Sequence, residues 1–297
     1  MSNLISGSIS KDTANQYNRV WKDLQEFCTN VLKRHFSASE ENIALYISHL
    51  DLKNLQPSTI QSHLSAISFL SQMNNMQDHT GSFNVEKIMK SLHKKSHTTD
   101  TRLPINQNLL NSIIYITATQ CDSVYESALY RAMFSLSYYA LLRVGECTQS
   151  KHVLTTNNVK RILTAGSCQA ITIQFSSFKN SSNKNSAPPV LEIQRRGGES
   201  CPVKIISHYL LVRHAGEGPI FVNFSGKPIT SKQFRDKLKL CASFLSLDVP
   251  RFNTHSFRIG RATDMLDEGY TEAQIRAAGR WQSRAFMKYL RPRNIML

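Results

Sequence analysis

The chain lacks paired cysteines. Its six, Cys28, Cys121, Cys147, Cys168, Cys201 and Cys241, are scattered, with no CxxC pair and no histidine at ligand spacing. That pattern argues against a zinc module and against a disulfide framework, and reads the cysteines as reduced, mostly buried apolar residues. There is no run of ~18 apolar residues that could cross a bilayer. The opening "MSNLISGSISKD" has no charged n-region followed by an apolar stretch, so no secretory signal is expected. The expectation is an intracellular protein, nuclear if its host is eukaryotic. Internal repeats and long low-complexity tracts are also missing. No carboxylate cluster of the kind that holds catalytic metal is evident, and no cofactor is expected.

Acidic residues are scarce, at 21 Asp and Glu against 36 Lys and Arg, for a net charge of +15. An excess of that size in a soluble chain most often serves a polyanion. The excess is +1 over residues 1–100 and +14 over residues 101–297, which assigns the phosphate attraction to the second part. A membrane surface is the competing polyanion, but no long helix sets a Lys/Arg face against a Trp/Phe/Leu face.

A length of 297 residues suggests two domains. Residues 1–95 read as a small all-helical unit. In "SKDTANQYNRVWKDLQEFCTNVL", Tyr17, Val20, Trp21, Leu24, Phe27, Cys28 and Val31 recur at helical spacing. Ser37 and Glu40 have the spacing of a capping box, and Pro57 suits a first helical turn. "SFNVEKIMKSLHKK" supplies a fourth helix. Residues 96–104 are polar, end in proline and read as a linker. From 105 to 297 two apolar helices lead to "RVGE". Then the β-rich stretches "VKRILTA", "AITIQFS" and "PVLEIQR" suggest a three-stranded antiparallel sheet, with "SFKNSSNKNSAP" as a long polar hairpin loop. Helices resume to the end of the chain. The fold class is mainly α with a small antiparallel sheet in the C-terminal domain.

Several polar residues sit oddly in this frame. Arg143 follows one of the most apolar runs in the chain, where a buried charge needs a partner; Glu146 could supply it, or an anion could arrive with a substrate. His255 and Arg258, three residues apart, share a helix face, with Thr254 or a neighbour as cap. Arg261 and Arg276 read equally well as solvated surface charges. Lys179 and Lys184 flank a polar loop, where lysines are usually just solvated. Trp281 follows "AAGR" at a turn and reads as a packing anchor with one N–H to donate. Tyr289, on a short basic stretch eight residues before the end, reads by itself as packing.

The order changes that reading. Arg, Lys, His-x-x-Arg, Trp and Tyr appear in sequence in "LLRVGE", "FKNSSNK", "HSFRIGRAT", "GRWQS" and "FMKYLRP". In this the chain resembles the tyrosine recombinase, or phage-integrase-like, family. "HSFRIG" with "GRW" looks most like the branch carried by DIRS- and Ngaro-like retrotransposons. The resemblance covers essentially the whole chain, though the first hundred residues match only in being helical. It implies a two-domain DNA clamp, with a DNA-binding N-terminal domain and a catalytic domain containing Arg143, Lys179, His255, Arg258, Trp281 and Tyr289. Two departures stand out. Trp281 stands where many members have histidine and cannot act as a base. The hairpin loop is long, which leaves Lys184 as an alternative to Lys179.

The chemistry of these residue types agrees with that resemblance. Two guanidiniums can hold the nonbridging oxygens of a phosphodiester without a metal. A phenol with a reference pKa near 10 needs its proton taken or its phenolate stabilised. The resemblance gives the first role to His255, gives Lys179 the task of protonating the departing 5′-oxygen, and makes Tyr289 the nucleophile; Glu146 would orient Arg143. The implied activity is cleavage and rejoining of double-stranded DNA through a 3′-phosphotyrosine, by a homo-oligomer. The competing readings are a type IB topoisomerase and a transposon-derived DNA-binding protein that has lost catalysis.

Overall fold

A computed structural model describes residues 8–96, 100–175, 189–214 and 216–291. These divide into two compact units, Met1–Asp100 and Thr101–Leu297. The fold is mostly helical with one small antiparallel sheet, as the sequence pattern predicts.

In the first unit Ser10 starts helix α1, Lys11–Glu26, by accepting a hydrogen bond from Thr13 N at 3.2 Å. The apolar stripe turns Val20, Leu24, Phe27 and Cys28 into the core, with Tyr17 and Trp21 packed against it. Val31, expected on the same stripe, is exposed. At Phe27 the backbone changes to a π-turn, in which Leu32 N bonds Phe27 O at 3.1 Å, and the wider turn rotates Val31 off the face. Helix α2, Glu40–Leu52, is capped by Ser39, not by Ser37. Ser39 immediately precedes Glu40 and accepts from Asn42 N, while the Ser37 carbonyl accepts from Asn42 Nδ2 at 3.0 Å. Helices α3, Pro57–Met73, and α4, Phe83–Lys95, complete the unit, with Pro57 in the first turn as expected.

The second unit begins with an extended segment that is hydrogen-bonded to residues far along the chain. Leu103 N donates to Arg251 O and Ile105 N to Ser256 O, both at 2.9 Å. Of the stretch read as a linker, Thr101–Pro104 therefore belongs to this unit's hydrogen-bonded structure. Helix α5 spans Gln107–Thr119 and α6 spans Val124–Tyr139. Eleven of the sixteen residues of α6 are buried, so it is the central helix, and its apolar character all round follows from that. A four-residue turn, α7, Val144–Cys147, leads to strands β1, Val159–Thr164, β2, Ser167–Gln174, and β3, Val190–Gln194.

The strands pair in the order β1-β2-β3. Val159 faces Ile173 and Ile171 faces Ile193, and these four turn to the core. Helices α8, Pro202–Val212, and α9, Ser231–Phe244, cover this core, and α10, Ser256–Asp267, runs through it. The Phe134 and Phe257 rings stack at 5.6 Å, locking α6 to α10. Gly260 lets the incoming segment cross α10, because a Cβ there would lie 1.7 Å from the Ile105 carbonyl oxygen. The last described elements are α11, Glu272–Ala278, and a 3₁₀ turn, Arg284–Tyr289. Among the described residues no helix is long and apolar enough to cross a membrane.

Candidate active site

Two helix ends of the same kind meet at the site. At the end of α6, Leu141 N bonds Tyr138 O and Leu142 N bonds Ser137 O; at the end of α11, Arg280 N bonds Ala277 O and Trp281 N bonds Arg276 O. Both are Schellman turns, which need a left-handed residue just past the helix. That place usually holds glycine, but in this chain Leu141 and Arg280 hold it, at φ of 46° and 53°. Each turn aims its carbonyls at the guanidiniums of the site.

Arg143 extends from the first turn. Its Nη1 meets Glu146 Oε1 at 3.3 Å, its Nη2 donates to Arg280 O at 3.1 Å, and its backbone N–H donates to Glu146 Oε2 at 2.9 Å. Glu146 is buried and carries a second partner, Arg280 Nη2, at 2.7 Å. Arg280 also donates to Ala140 O and Leu141 O at 3.2 Å and lies 3.7 Å above the Phe175 ring. Next to Glu146, Cys147 offers no rival nucleophile, since burial pushes its thiol up to about 12.

Arg258, only 2% exposed, sits between the two turns. Its Nη1 donates to Leu141 O, its Nη2 to Gly279 O at 3.0 Å, and its guanidinium lies over the Trp281 ring at 4.5 Å. Burial, then the charges of Arg143 and Arg280, push it down to about 9. A guanidinium has five N–H donors; the bonds to Glu146 and Arg280 O use two on Arg143, and those to Leu141 O and Gly279 O use two on Arg258. The site thus presents a pair of cations with donors to spare, as an anion requires.

The Tyr289 ring completes the wall. It lies 6.2 Å from the His255 ring at an interplanar angle of 19°, 5.6 Å from the Trp281 ring, and 6.0 Å from the Arg102 guanidinium carbon. The Tyr289 carbonyl accepts from Thr263 Oγ1 at 3.4 Å, tying the last turn to α10. His255 is the N-cap residue of α10, and Asn253 Oδ1 accepts from its backbone N–H at 2.8 Å. Gly279 makes room for the indole, for a Cβ there would lie 1.7 Å from Trp281 Cζ3.

Against known families, residues 104–293 match the Phage integrase family. The chain belongs to that family. Solved structures agree on the fold of this phage integrase relative. The Tn1549 transposon integrase in complex with transposon right end DNA aligns with a TM-score of 0.64 at 13% identity, over 98% of this chain and 95% of that one. The same integrase in complex with circular intermediate DNA gives 0.60 at 11%, over 99% and 96%. A looser likeness, to the XerH site-specific recombinase bound to difH substrate, gives 0.49 at 13%, over 95% and 94%. Among curated proteins, none matches the chain.

Of the residues singled out in the sequence of this integrase-family chain, Arg143, Glu146, His255, Arg258, Trp281 and Tyr289 gather in one place. Lys179 and Lys184 lie outside the described residues. Arg261, read as solvated, is buried and bonds Glu268 at 2.7 Å, because one turn along α10 from Arg258 still faces the interior. Sequence reasoning passed over Arg280. The only signal was its place between Gly279 and Trp281, and neither its left-handed backbone nor its partner, 134 residues away, is legible there.

Proposed function

We propose that the chain cleaves and rejoins double-stranded DNA through a 3′-phosphotyrosine at Tyr289. One juxtaposition carries the reading: Tyr289 packs on His255 and Trp281, and Trp281 carries the buried Arg258 on its face. With Arg143 joined to the same two turns, a phosphodiester held by the two guanidiniums would lie beside the phenol. Attack by the Tyr289 oxygen forms the phosphotyrosyl bond and breaks the bond to the 5′-oxygen. His255 accepts the phenolic proton and Lys179 protonates the leaving oxygen. A 5′-hydroxyl from another strand then reverses the sequence and reseals DNA without ATP.

In this reading residues 1–95 form a DNA-binding domain and residues 105–297 the catalytic domain. Two units divided after Asp100 support that division. The DNA complexes of the Tn1549 integrase support duplex DNA as the partner. We assign the activity to site-specific recombination or integration of a mobile element, of the retrotransposon branch that "HSFRIG" and "GRW" resemble, by a homo-oligomer acting inside the cell, in the nucleus of a eukaryotic host. The test uses nicked duplexes selected for binding from a randomised pool. A recombinase joins its bound strand to a second duplex, giving a recombinant product. Relaxation of a supercoiled plasmid with no joining between duplexes would establish a topoisomerase instead, and tight binding with no covalent adduct would overturn the enzyme reading.

A further inference from the structure

The phosphoryl-transfer reading leaves the buried Arg280 without a role. Arg280 occupies a left-handed position where glycine would avoid steric cost, at φ 53°, and its side chain is 2% exposed. A buried charge in a strained position is retained only if its surroundings hold it there, and they do. Its guanidinium reaches Glu146, Ala140 O, Leu141 O and Ala278 O, and rests on Phe175.

We infer that Arg280 is a positioning residue: it grips Glu146 from the far side and offers Arg143 its own carbonyl, and so fixes where the Arg143 guanidinium meets the phosphate. The inference rests on the proposed reading of the site. Residue 280 touches Arg143 by two routes, directly through its carbonyl at 3.1 Å and indirectly through Glu146. It touches Arg258 as well, since Leu141 O accepts from both guanidiniums and the preceding carbonyl, Gly279 O, accepts from Arg258. One residue therefore sets the spacing of the two cations.

Charge follows the same geometry. The Glu146 carboxylate bonds the Arg280 guanidinium at 2.7 Å and the Arg143 guanidinium at 3.3 Å, so its tighter side-chain partner is Arg280 and Arg143 keeps N–H donors for an incoming anion. Without Arg280 the carboxylate turns wholly to Arg143. A fork of two charge-assisted bonds then competes with the phosphate for the same donors.

The test uses the full chain with two variants, Arg280→Lys and the double variant Arg280→Met with Glu146→Gln, which removes both charges of the buried Arg280–Glu146 pair together. Thermal stability, duplex affinity and the first-order rate of adduct formation at saturating DNA are measured for each. We expect Arg280→Lys to fold and bind DNA near wild-type levels but to cleave ~10²-fold more slowly, the cost of a guanidinium displaced by about an ångström. The double variant is expected to keep near wild-type stability and not the rate. A wild-type rate in Arg280→Lys, or in a double variant of near wild-type stability, would overturn the inference. Should the wild type form no adduct, the reading of the site fails, and a second measurement still decides the role of Arg280. In a Trp21→Phe background Trp281 is the sole tryptophan, and its emission reports titration with inorganic phosphate. Arg280→Lys is expected to weaken that binding roughly tenfold, the worth of one misaligned charge-assisted hydrogen bond; an unchanged dissociation constant would sink the inference.

Discussion

Arg258 concentrates the physics of the site. Its guanidinium is pushed down to about 9, well below the ordinary arginine range, by burial first and then by Arg143 and Arg280. The folded chain thus loses this proton before the unfolded chain does. The charge is a full cost to folding below about pH 9, and that cost is relieved as pH rises above 9 toward the ordinary arginine range. A bound anion relieves the same cost at neutral pH. Inorganic phosphate should therefore raise Tm at pH 7, by the equivalent of ~2.7 kcal/mol at a hundred times its dissociation constant. The gain should shrink above about pH 9 and be largely lost in Arg258→Met; differential scanning calorimetry across that pH range reads it, and a gain undiminished in Arg258→Met would place the anion elsewhere. Glu146 makes a second prediction at this scale. Glu146→Ala leaves Arg280 buried without its carboxylate, so urea denaturation should find a loss of ~3–5 kcal/mol. A loss within the range of a surface substitution would mean that the pair does not hold the two turns together.

At the scale of elements, two helix ends and two glycines build the site. Gly279→Ala drives a methyl group into the Trp281 ring and should displace the indole from Arg258 and Tyr289. Adduct formation should fall far more than stability does, which rate and melting measurements on one preparation would compare. Gly260→Ala meets backbone instead, at Ile105 O, and should cost ~1–3 kcal/mol of stability, as overpacking does. Most elements were legible in the sequence because their signals are local: the apolar period of α1, the proline that opens α3, the β-rich composition of β1 to β3. The departures were not local. Val31 left its stripe because of a π-turn, and Ser39 took the cap because it adjoins Glu40 directly. At the site, the ordered motif marked Arg143, His255, Arg258, Trp281 and Tyr289, each of a residue type suited to phosphate chemistry. Arg280 and Leu141 stayed hidden, since their conformations are sustained by partners distant in sequence, and no spacing encodes those.

For the whole molecule, the charge of +15 with its excess of +14 beyond residue 100 calls for an extended phosphate footprint around this site. Duplex affinity should fall steeply with salt; six to ten phosphate contacts correspond to a loss of ~10³–10⁵ between 50 and 200 mM. A shallow slope, read by anisotropy titrations, would confine DNA to a few contacts. The central claim is that the phenol beside His255, Trp281 and Arg258 attacks DNA. It is tested most directly by trapping the wild-type chain on a nicked duplex, digesting the denatured complex and locating the linked residue by mass spectrometry. The account predicts a DNA-linked peptide containing Tyr289, and none from Tyr289→Phe; linkage at another residue, or an adduct that persists in Tyr289→Phe, would contradict it.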